Sequence, residues 1–214
     1  LPSWVPRFYE RRTRTTARVI RGLITDLTEA RMAEIGAGTA PDDLATKIMT
    51  TTDPLTGDRF DTSEMVDQVA IFFLAGHETS ASALAWALYL MALYPDWQNE
   101  LAEEASTALD GEFGFADMSR LRLSRDVFRE TLRLYPPVPM MVREATCAER
   151  FRDRRVPKGS QIVLSPWHLH RHERLWERPD DFDPGRFATE NGRQCLREAY
   201  MPFSAGQRVC PGAG

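Results

Sequence analysis

Apolar residues recur at helical spacing through the first part of the chain, and the pattern later shortens into brief apolar runs. Helices are therefore predicted over about 7–33, 42–51, 63–93, 96–109 and 124–134. Ser124 is predicted to cap the last of them. A strand is predicted at Gln161–Leu164, and an ordered but irregular connection over 173–192. The pattern predicts a mainly α fold with a small β component.

The helix predicted over 63–93 is apolar on nearly all sides and about 45 Å long, so it is predicted to be buried. Asp61, three residues before Glu64, predicts a capping box at its start. The stretch Gly76-His77-Glu78-Thr79-Ser80 interrupts the apolar run, and a membrane span needs about 20 mostly apolar residues. Glu78 and Thr79 need partners or a function if buried, although Thr79 could simply bond back to its own helix.

Composition excludes several classes of protein. The 214 residues are 43% hydrophobic with a net charge of −4, which is enough for a packed core and leaves no basic footprint for nucleic acid. Three cysteines are too few for a disulfide framework and favour a reducing, cytoplasmic compartment. The chain begins with Leu1 and ends inside a motif, so it is interpreted as an internal fragment without a membrane segment of its own.

The stretch from Phe203 to Gly212 carries the strongest chemical indication. Cys210 lies in a loop with two glycines, and Pro211 after it favours the first position of a helix. A helix N-terminus would favour the thiolate form of Cys210, which is a good iron ligand. An ordinary buried cysteine is the alternative.

This loop resembles the haem-binding motif of the cytochrome P450 family, in which Phe, Gly, Arg, Cys and Gly recur at these spacings. The matching residues are Phe203, Gly206, Arg208, Cys210 and Gly212. The resemblance covers essentially the whole chain and implies one partial cytochrome P450 domain over residues 1–214. It implies a b-type haem with Cys210 as axial iron ligand.

The resemblance also extends to the middle of the long helix, at Ala75-Gly76-x-Glu78-Thr79. It implies that Thr79 and Glu78 form a catalytic acid–alcohol pair that delivers protons during dioxygen activation. Small residues there would leave room for a ligand. The residues expected to face the substrate are Phe72, Ala75, Gly76, Val138, Met140 and Val142.

Three further residues match a structural cluster of the family. Glu130 and Arg133 lie on one helix face, and Arg186 in Pro184-Gly185-Arg186-Phe187 is the expected third member. A weak surface ion pair is the ordinary alternative for the first two. Arg143 and Arg208 are expected to hold the two haem propionates, whereas a lone Arg143 would otherwise be solvated.

The resemblance implies a monooxygenase that inserts one oxygen atom of O₂ into an apolar small molecule, with electrons from a ferredoxin- or flavin-type donor. A peroxide-driven peroxygenase is the first alternative, and a non-catalytic helical binding module is the second. His168, His170 and His172 alternate, but no nearby ligand completes a zinc site. The 214 residues alone are not expected to hold haem stably.

Overall fold

The computed structural model describes residues 11–109, 111 and 114–213, and the chain divides into two units, 1–77 and 78–214. The helices are α1 (Arg11–Ala37), α2 (Leu44–Thr50), α3 (Thr62–Leu93), α4 (Pro95–Ala108), α5 (Arg122–Leu134), α6 (Pro166–Leu169) and α7 (Glu190–Glu198). The strands are β1 (Met141–Glu144), β2 (Glu149–Phe151), β3 (Arg154–Val156) and β4 (Gln161–Leu164). Short 3-10 turns cover Phe115–Arg120, Pro184–Ala188 and Gly206–Arg208. The mainly α fold with a small β component is confirmed.

The predicted helices are present, and the main differences concern α1, the irregular connection and α5. Helix α1 continues to Ala37, and its predicted start before Arg11 lies outside the described residues. The connection predicted as irregular contains the turn Pro184–Ala188 and the first residues of α7. The start of α5 differs as well, because that helix begins at Arg122 rather than with a cap at Ser124.

The start of α5 is capped from a neighbouring helix. Glu104 of α4 accepts hydrogen bonds from the backbone N–H groups of Leu123 at 2.6 Å and Ser124 at 2.9 Å. The Ser124 hydroxyl donates to the same carboxylate at 2.8 Å. A carboxylate is well suited to this place because the first N–H groups of a helix lack partners within it. Ser124 therefore donates to the capping carboxylate of Glu104 and does not itself cap the helix.

Within the unit 1–77, polar contacts define the helix starts. Asp61 and Glu64 form the predicted capping box at α3, with N–H to carboxylate distances of 2.9 and 2.8 Å. Asp43 caps α2 through the Thr46 N–H at 2.9 Å and accepts two hydrogen bonds from Arg31. The hydrogen bond from Arg31 and the one from Thr46 lower the pKa of Asp43 to about 2.

The prediction that α3 is buried on all sides is wrong for this structure. Large apolar side chains along the helix are more than half exposed, namely Ile71, Phe73, Leu74, Leu84 and Leu88. Buried positions are few, such as Met65 in the first unit and Leu90 in the second. An apolar helix is buried only where other elements cover it, and the described elements cover α3 along a minority of its positions.

Among the described residues of the unit 78–214, the buried apolar side chains form two clusters. The first joins the end of α3 to α5 and Phe182: Leu90, Met91, Val127, Leu134 and Phe182. The second lies around α7: Trp176, Phe187, Cys195 and Ala199. Strand β1 pairs antiparallel with β4, with Met141 opposite Leu164 and Arg143 opposite Ile162. The hairpin β2–β3 forms a second small sheet.

Candidate functional site

A cleft of about 390 Å³ opens within the unit 78–214. It is bordered by the middle of α3, by α5, by the segment leading into β1 and by the loop around Cys210. Its lining residues are Thr79, Ser80, Ala83, Phe128, Leu132, Pro137, Val138, Met141, Pro202, Phe203, Ser204, Arg208, Cys210 and Gly212. Most of them are apolar, so the cleft suits a largely apolar ligand.

The cleft brings together residues that the sequence places far apart. Six of the predicted site residues line it: Thr79, Val138, Phe203, Arg208, Cys210 and Gly212. Glu78 and Gly206 are exposed and do not contribute to its lining as the structure describes it. Phe72, Ala75 and Gly76 belong to the unit 1–77, where Phe72 is half-buried and the other two are exposed.

The strand entering the cleft presents a different face from the one predicted. Met140 is 60% exposed and Val142 is 55% exposed, and neither appears among the described lining residues. Met141 faces the cleft instead. Successive side chains of a strand point to opposite faces, so Met141 and Val142 cannot both face one cavity. The described cleft is therefore lined by Val138 and Met141 and not by Met140 or Val142, and which residues face a substrate stays a prediction.

The Cys210 loop is closed by its own backbone. The Cys210 N–H donates to the Phe203 carbonyl at 2.8 Å, and the Val209 N–H donates to the Gly206 carbonyl at 3.0 Å. Ser204 and Gly206 have φ angles of 65° and 70°, in the left-handed region that favours glycine. No described atom lies within 4 Å of a Cβ built at Gly206, so a side chain there would have space. Glycine is therefore favoured at this position by the positive φ angle and not by crowding.

The prediction of a helix start at Pro211 stays a prediction, because only residues 211–213 are described after Cys210. Residues 211–213 form a turn, with the Ala213 N–H donating to the Cys210 carbonyl at 3.3 Å. The Cys210 side chain is exposed toward the cleft, so the alternative of an ordinary buried cysteine is wrong. Within the described part of the chain, its sulfur has no hydrogen-bond partner.

Two arginines lie beside the loop. Arg208 is exposed and lines the cleft. Arg143, on β1, is half-buried; it donates to the Ser204 hydroxyl at 3.4 Å and to the Val142 carbonyl at 3.0 Å. Because Ser204 lines the cleft, the Arg143 guanidinium lies close to its edge. Neither guanidinium forms an ion pair with a described carboxylate, so both are available to an anionic ligand group.

Glu130, Arg133 and Arg186 form a buried ionic cluster, as predicted. Glu130 and Arg133 side chains are 0% exposed, and Arg133 binds the carboxylate with two hydrogen bonds of 2.8 and 2.9 Å. The Arg186 Nε donates to the same carboxylate at 2.8 Å. The alternative of a weak surface pair is wrong.

The cluster also holds the irregular chain that follows α6. The two terminal nitrogens of Arg133 donate to the carbonyls of His170, Pro179 and Asp181 at 2.8, 2.5 and 3.0 Å. With the two bonds to Glu130, every N–H of this guanidinium has an acceptor. Full satisfaction is what allows charged groups to be buried at this position.

Sequence reasoning missed the role of His170, for which a zinc site was weighed and set aside. No group of three potential ligands that could hold a metal ion occurs among the residues that the structure describes. His170 is fully buried; its Nε2 accepts from the Met201 N–H at 3.0 Å and its Nδ1 lies 3.2 Å from the Arg133 carbonyl. The alternation of histidines does not predict these contacts, because Arg133 and Met201 are distant from His170 in the chain.

We expect His170 to make folding sensitive to acid. Burial, aided by the nearby charges of Arg133 and Arg171, lowers its pKa to about 4 from the ordinary 6.5. The unfolded chain therefore binds a proton at this histidine between pH 6.5 and pH 4, where the folded chain does not. The free energy of unfolding should fall by about 3 kcal/mol across this window as pH decreases.

Urea unfolding at a series of pH values checks this expectation. The variant His170→Gln removes the titrating group, so its stability should depend less on pH than that of the unaltered protein over the same window. Equal pH dependence in the two proteins would contradict the assignment.

The residues of the cleft fit a haem. An accessible thiol, an apolar lining and two arginines without carboxylate partners are the ligand, the surroundings and the anion-binding groups that a haem requires. Arg208 lines the cleft, and Arg143 contacts the Ser204 hydroxyl of the same lining. This fold and the residues of this cleft are similar to those of the haem-thiolate class of proteins.

Comparison with known proteins agrees with that class. The family model described as "Cytochrome P450" matches residues 1–214. The chain is 38% identical over 171 residues to cyclooctatin synthase of Streptomyces melanosporofaciens, covering 79% of this chain and 37% of that protein. It is 33% identical over 213 residues to cyclooctat-9-en-7-ol 5-monooxygenase of the same organism, covering 99% and 45%. The crystal structure of a cytochrome P450 (CYP102L1) superposes with a TM-score of 0.84 at 31% identity, covering 98% of this chain and 50% of that one.

The chain belongs to the cytochrome P450 family. It spans half or less of the length of these relatives. In the part of the chain that the structure describes, no helix is long and apolar enough to cross a membrane.

Proposed function

We propose that this chain supplies the haem-binding and dioxygen-activating part of a monooxygenase. The reaction would insert one oxygen atom of O₂ into an apolar organic substrate and reduce the other to water, with two electrons from a ferredoxin- or flavin-type donor. The observation that carries this proposal is that Thr79, Arg208 and Cys210 line the same cleft. The name of one relative, cyclooctat-9-en-7-ol 5-monooxygenase, supports a substrate that is mostly hydrocarbon.

Cys210, Arg208 and Arg143 are the residues that would hold the cofactor. When bound, a b-type haem supplies a redox-active iron, and a thiolate ligand favours cleavage of the O–O bond. The Cys210 sulfur would bind the iron, because it is accessible from the cleft and has no competing partner among the described residues. The two guanidinium groups would bind the propionates. Phe203 lines the same cleft and would pack beside the ligand.

The remaining lining residues would orient the substrate and exclude water. Phe128, Leu132, Val138 and Met141 present apolar surface on the sides of the cleft formed by α5 and the segment entering β1. Apolar walls exclude water, which strengthens the electrostatic interactions inside and limits loss of protons to solvent. The substrate is therefore held by shape and apolar contact, and few polar groups would recognise it.

Thr79 would hold and pass a proton through its hydroxyl oxygen, and Glu78 would resupply that proton from solvent. Thr79 is half-buried in the cleft lining, whereas the next residue toward the N-terminus, Glu78, is exposed. This difference suits a relay with one end at the reaction site and one end in water. Because Glu78 is exposed, the expectation that its carboxylate is buried no longer applies.

Thr79→Ala should lower the amount of oxygenated product formed per electron consumed by about 100-fold, the lower end of what proton transfer by a positioned group contributes. Thr79→Ser keeps the hydroxyl and should retain most of the yield. The measurement compares product formed with reduced nicotinamide consumed in the full-length protein with its donor. Equal yields from the alanine and serine variants would contradict a proton-transfer role.

Isotope-labelled dioxygen tests the reaction class directly. With reductant and labelled O₂, the product should carry one labelled oxygen atom. Product that forms from hydrogen peroxide, with no requirement for a reductant and no label from O₂, would instead identify a peroxygenase. Absence of any oxygenated product together with absence of bound haem would favour a non-catalytic binding module.

A further inference from the structure

His170 lies between the buried ionic cluster and the Cys210 loop. The Arg133 guanidinium donates to the His170 carbonyl at 2.8 Å, and the His170 ring lies 3.2 Å from the Arg133 carbonyl. The two residues are thus joined twice, although they are 37 positions apart in the chain. This reciprocal contact fixes the ring with respect to the end of α5.

The other ring nitrogen reaches the start of the loop. His170 Nε2 accepts from the Met201 N–H at 3.0 Å, so Nε2 carries no proton and Nδ1 is the N–H that donates to Arg133. Met201 lies two residues before Phe203, whose carbonyl accepts from the Cys210 N–H. A continuous path of hydrogen bonds and short backbone segments therefore connects Arg133 with Cys210.

The surroundings of His170 favour this single orientation. Tyr200 stacks on the ring, with centroids 5.3 Å apart and planes within 24°. The Tyr200 hydroxyl donates to the Arg129 carbonyl at 3.1 Å, which ties the stacking partner to α5 as well. Because the ring is fully buried, water cannot replace the contact to Met201 if it is lost.

We propose that His170 is a positioning residue for the haem ligand: its Nε2 fixes the backbone at Met201 and thereby the place of Cys210 in the cleft. This inference rests on the proposed haem-thiolate function and adds to it a residue that touches neither haem nor substrate. The alternative is that His170 only fills space in the core, in which case its two hydrogen bonds would be interchangeable.

Three substitutions at this position separate the two roles. A glutamine amide reaches about as far as Nε2, so His170→Gln keeps an acceptor for Met201 and loses the donor to Arg133. An asparagine amide reaches about as far as Nδ1, so His170→Asn keeps the donor to Arg133 and loses the acceptor for Met201. His170→Phe keeps the ring that stacks on Tyr200 and loses both bonds.

The first readout is the absorption spectrum of the reduced, CO-bound full-length protein. Thiolate ligation gives a strongly red-shifted Soret band, so the ratio of protein without this band to protein with it reports the position of Cys210. We expect the ratio to rise about tenfold in the asparagine and phenylalanine variants, as for a buried N–H left unpaired. The glutamine variant should stay within about threefold of the unaltered protein.

The second readout is amide hydrogen exchange over residues 201–204, which needs no spectrum. Exchange in this segment should be about tenfold faster in the asparagine and phenylalanine variants than in the glutamine variant. Urea unfolding midpoints are measured alongside. Glutamine and asparagine each leave one buried group unpaired, so these two variants should be similar in stability while differing in both readouts.

The outcomes distinguish this inference from the proposed function. An unaltered protein without the red-shifted band contradicts the function itself. A normal spectrum in the unaltered protein, with glutamine and asparagine variants equal in both readouts, overturns the positioning role and leaves the function intact. A larger effect of glutamine than of asparagine also overturns it, because the contact to Arg133 would then be the important one.

Discussion

Glu130→Gln should lower the free energy of unfolding by about 3–5 kcal/mol, one of the two largest effects expected in this protein. The substitution keeps the size of the side chain and removes its charge. Arg133 and Arg186 would then be two buried cations without an anion, at 0% and 5% side-chain exposure. Removing one member of a buried ionic cluster is costly because the charge left behind cannot be solvated.

The expected loss extends beyond the ion pairs. The Glu130 carboxylate also accepts from the Asp183 N–H at 3.0 Å, so its replacement weakens the attachment of the chain before Arg186. Arg133→Lys should be nearly as damaging as a neutral substitution. An ammonium has three N–H groups in place of five and cannot bind the carboxylate and three carbonyls together.

Helix α7 provides a matched control. Glu190 and Arg193 have the same spacing and form an ion pair of 3.0 Å, but their side chains are 81% and 52% exposed. Glu190→Gln should change the free energy of unfolding by less than about 1 kcal/mol. Urea unfolding of both variants gives the comparison. Equal losses from Glu130→Gln and Glu190→Gln would show that the buried cluster does not stabilise the fold.

The sequence was sufficient for features that depend on local spacing. The pair Glu130 and Arg133 is one helical turn apart, so periodicity alone placed both side chains on one face. The Asp61 capping box is local in the same way, and it is present. The third member of the cluster, Arg186, is 56 residues from Glu130 and was accessible only through resemblance to a family.

Features that depend on distant partners were not predictable. The cap of α5 comes from Glu104 on another helix, and the His170 contacts come from Arg133 and Met201. No local pattern encodes such pairings. The burial of α3 was predicted from its composition, but burial depends on which elements cover a helix, and a single helix sequence does not contain that information.

The side chains of β1 that line the cleft could not be predicted for a different reason. An apolar run from Val138 to Val142 does not reveal where the strand starts, and a shift of one residue exchanges the two faces. The pairing of Met141 with Leu164 sets the register, so Met141 faces the cleft. Only the neighbouring strand could provide this information.

Cys210→Ser should abolish the red-shifted Soret band of the reduced, CO-bound protein completely, which is the other large effect expected. A serine hydroxyl at the same place is not ionised at neutral pH and cannot replace the thiolate as an iron ligand. Cys147→Ser is the matched control. Cys147 is also exposed, but its thiol donates to Glu149 at 3.2 Å and lies outside the described cleft lining.

The absorption spectrum of the reduced, CO-bound full-length protein therefore tests the central claim most directly. The unaltered protein and Cys147→Ser should both show the red-shifted Soret band, and Cys210→Ser should lack it. A red-shifted band that persists in Cys210→Ser, or that is missing from the unaltered protein loaded with haem, would contradict the assignment of Cys210 as the thiolate ligand.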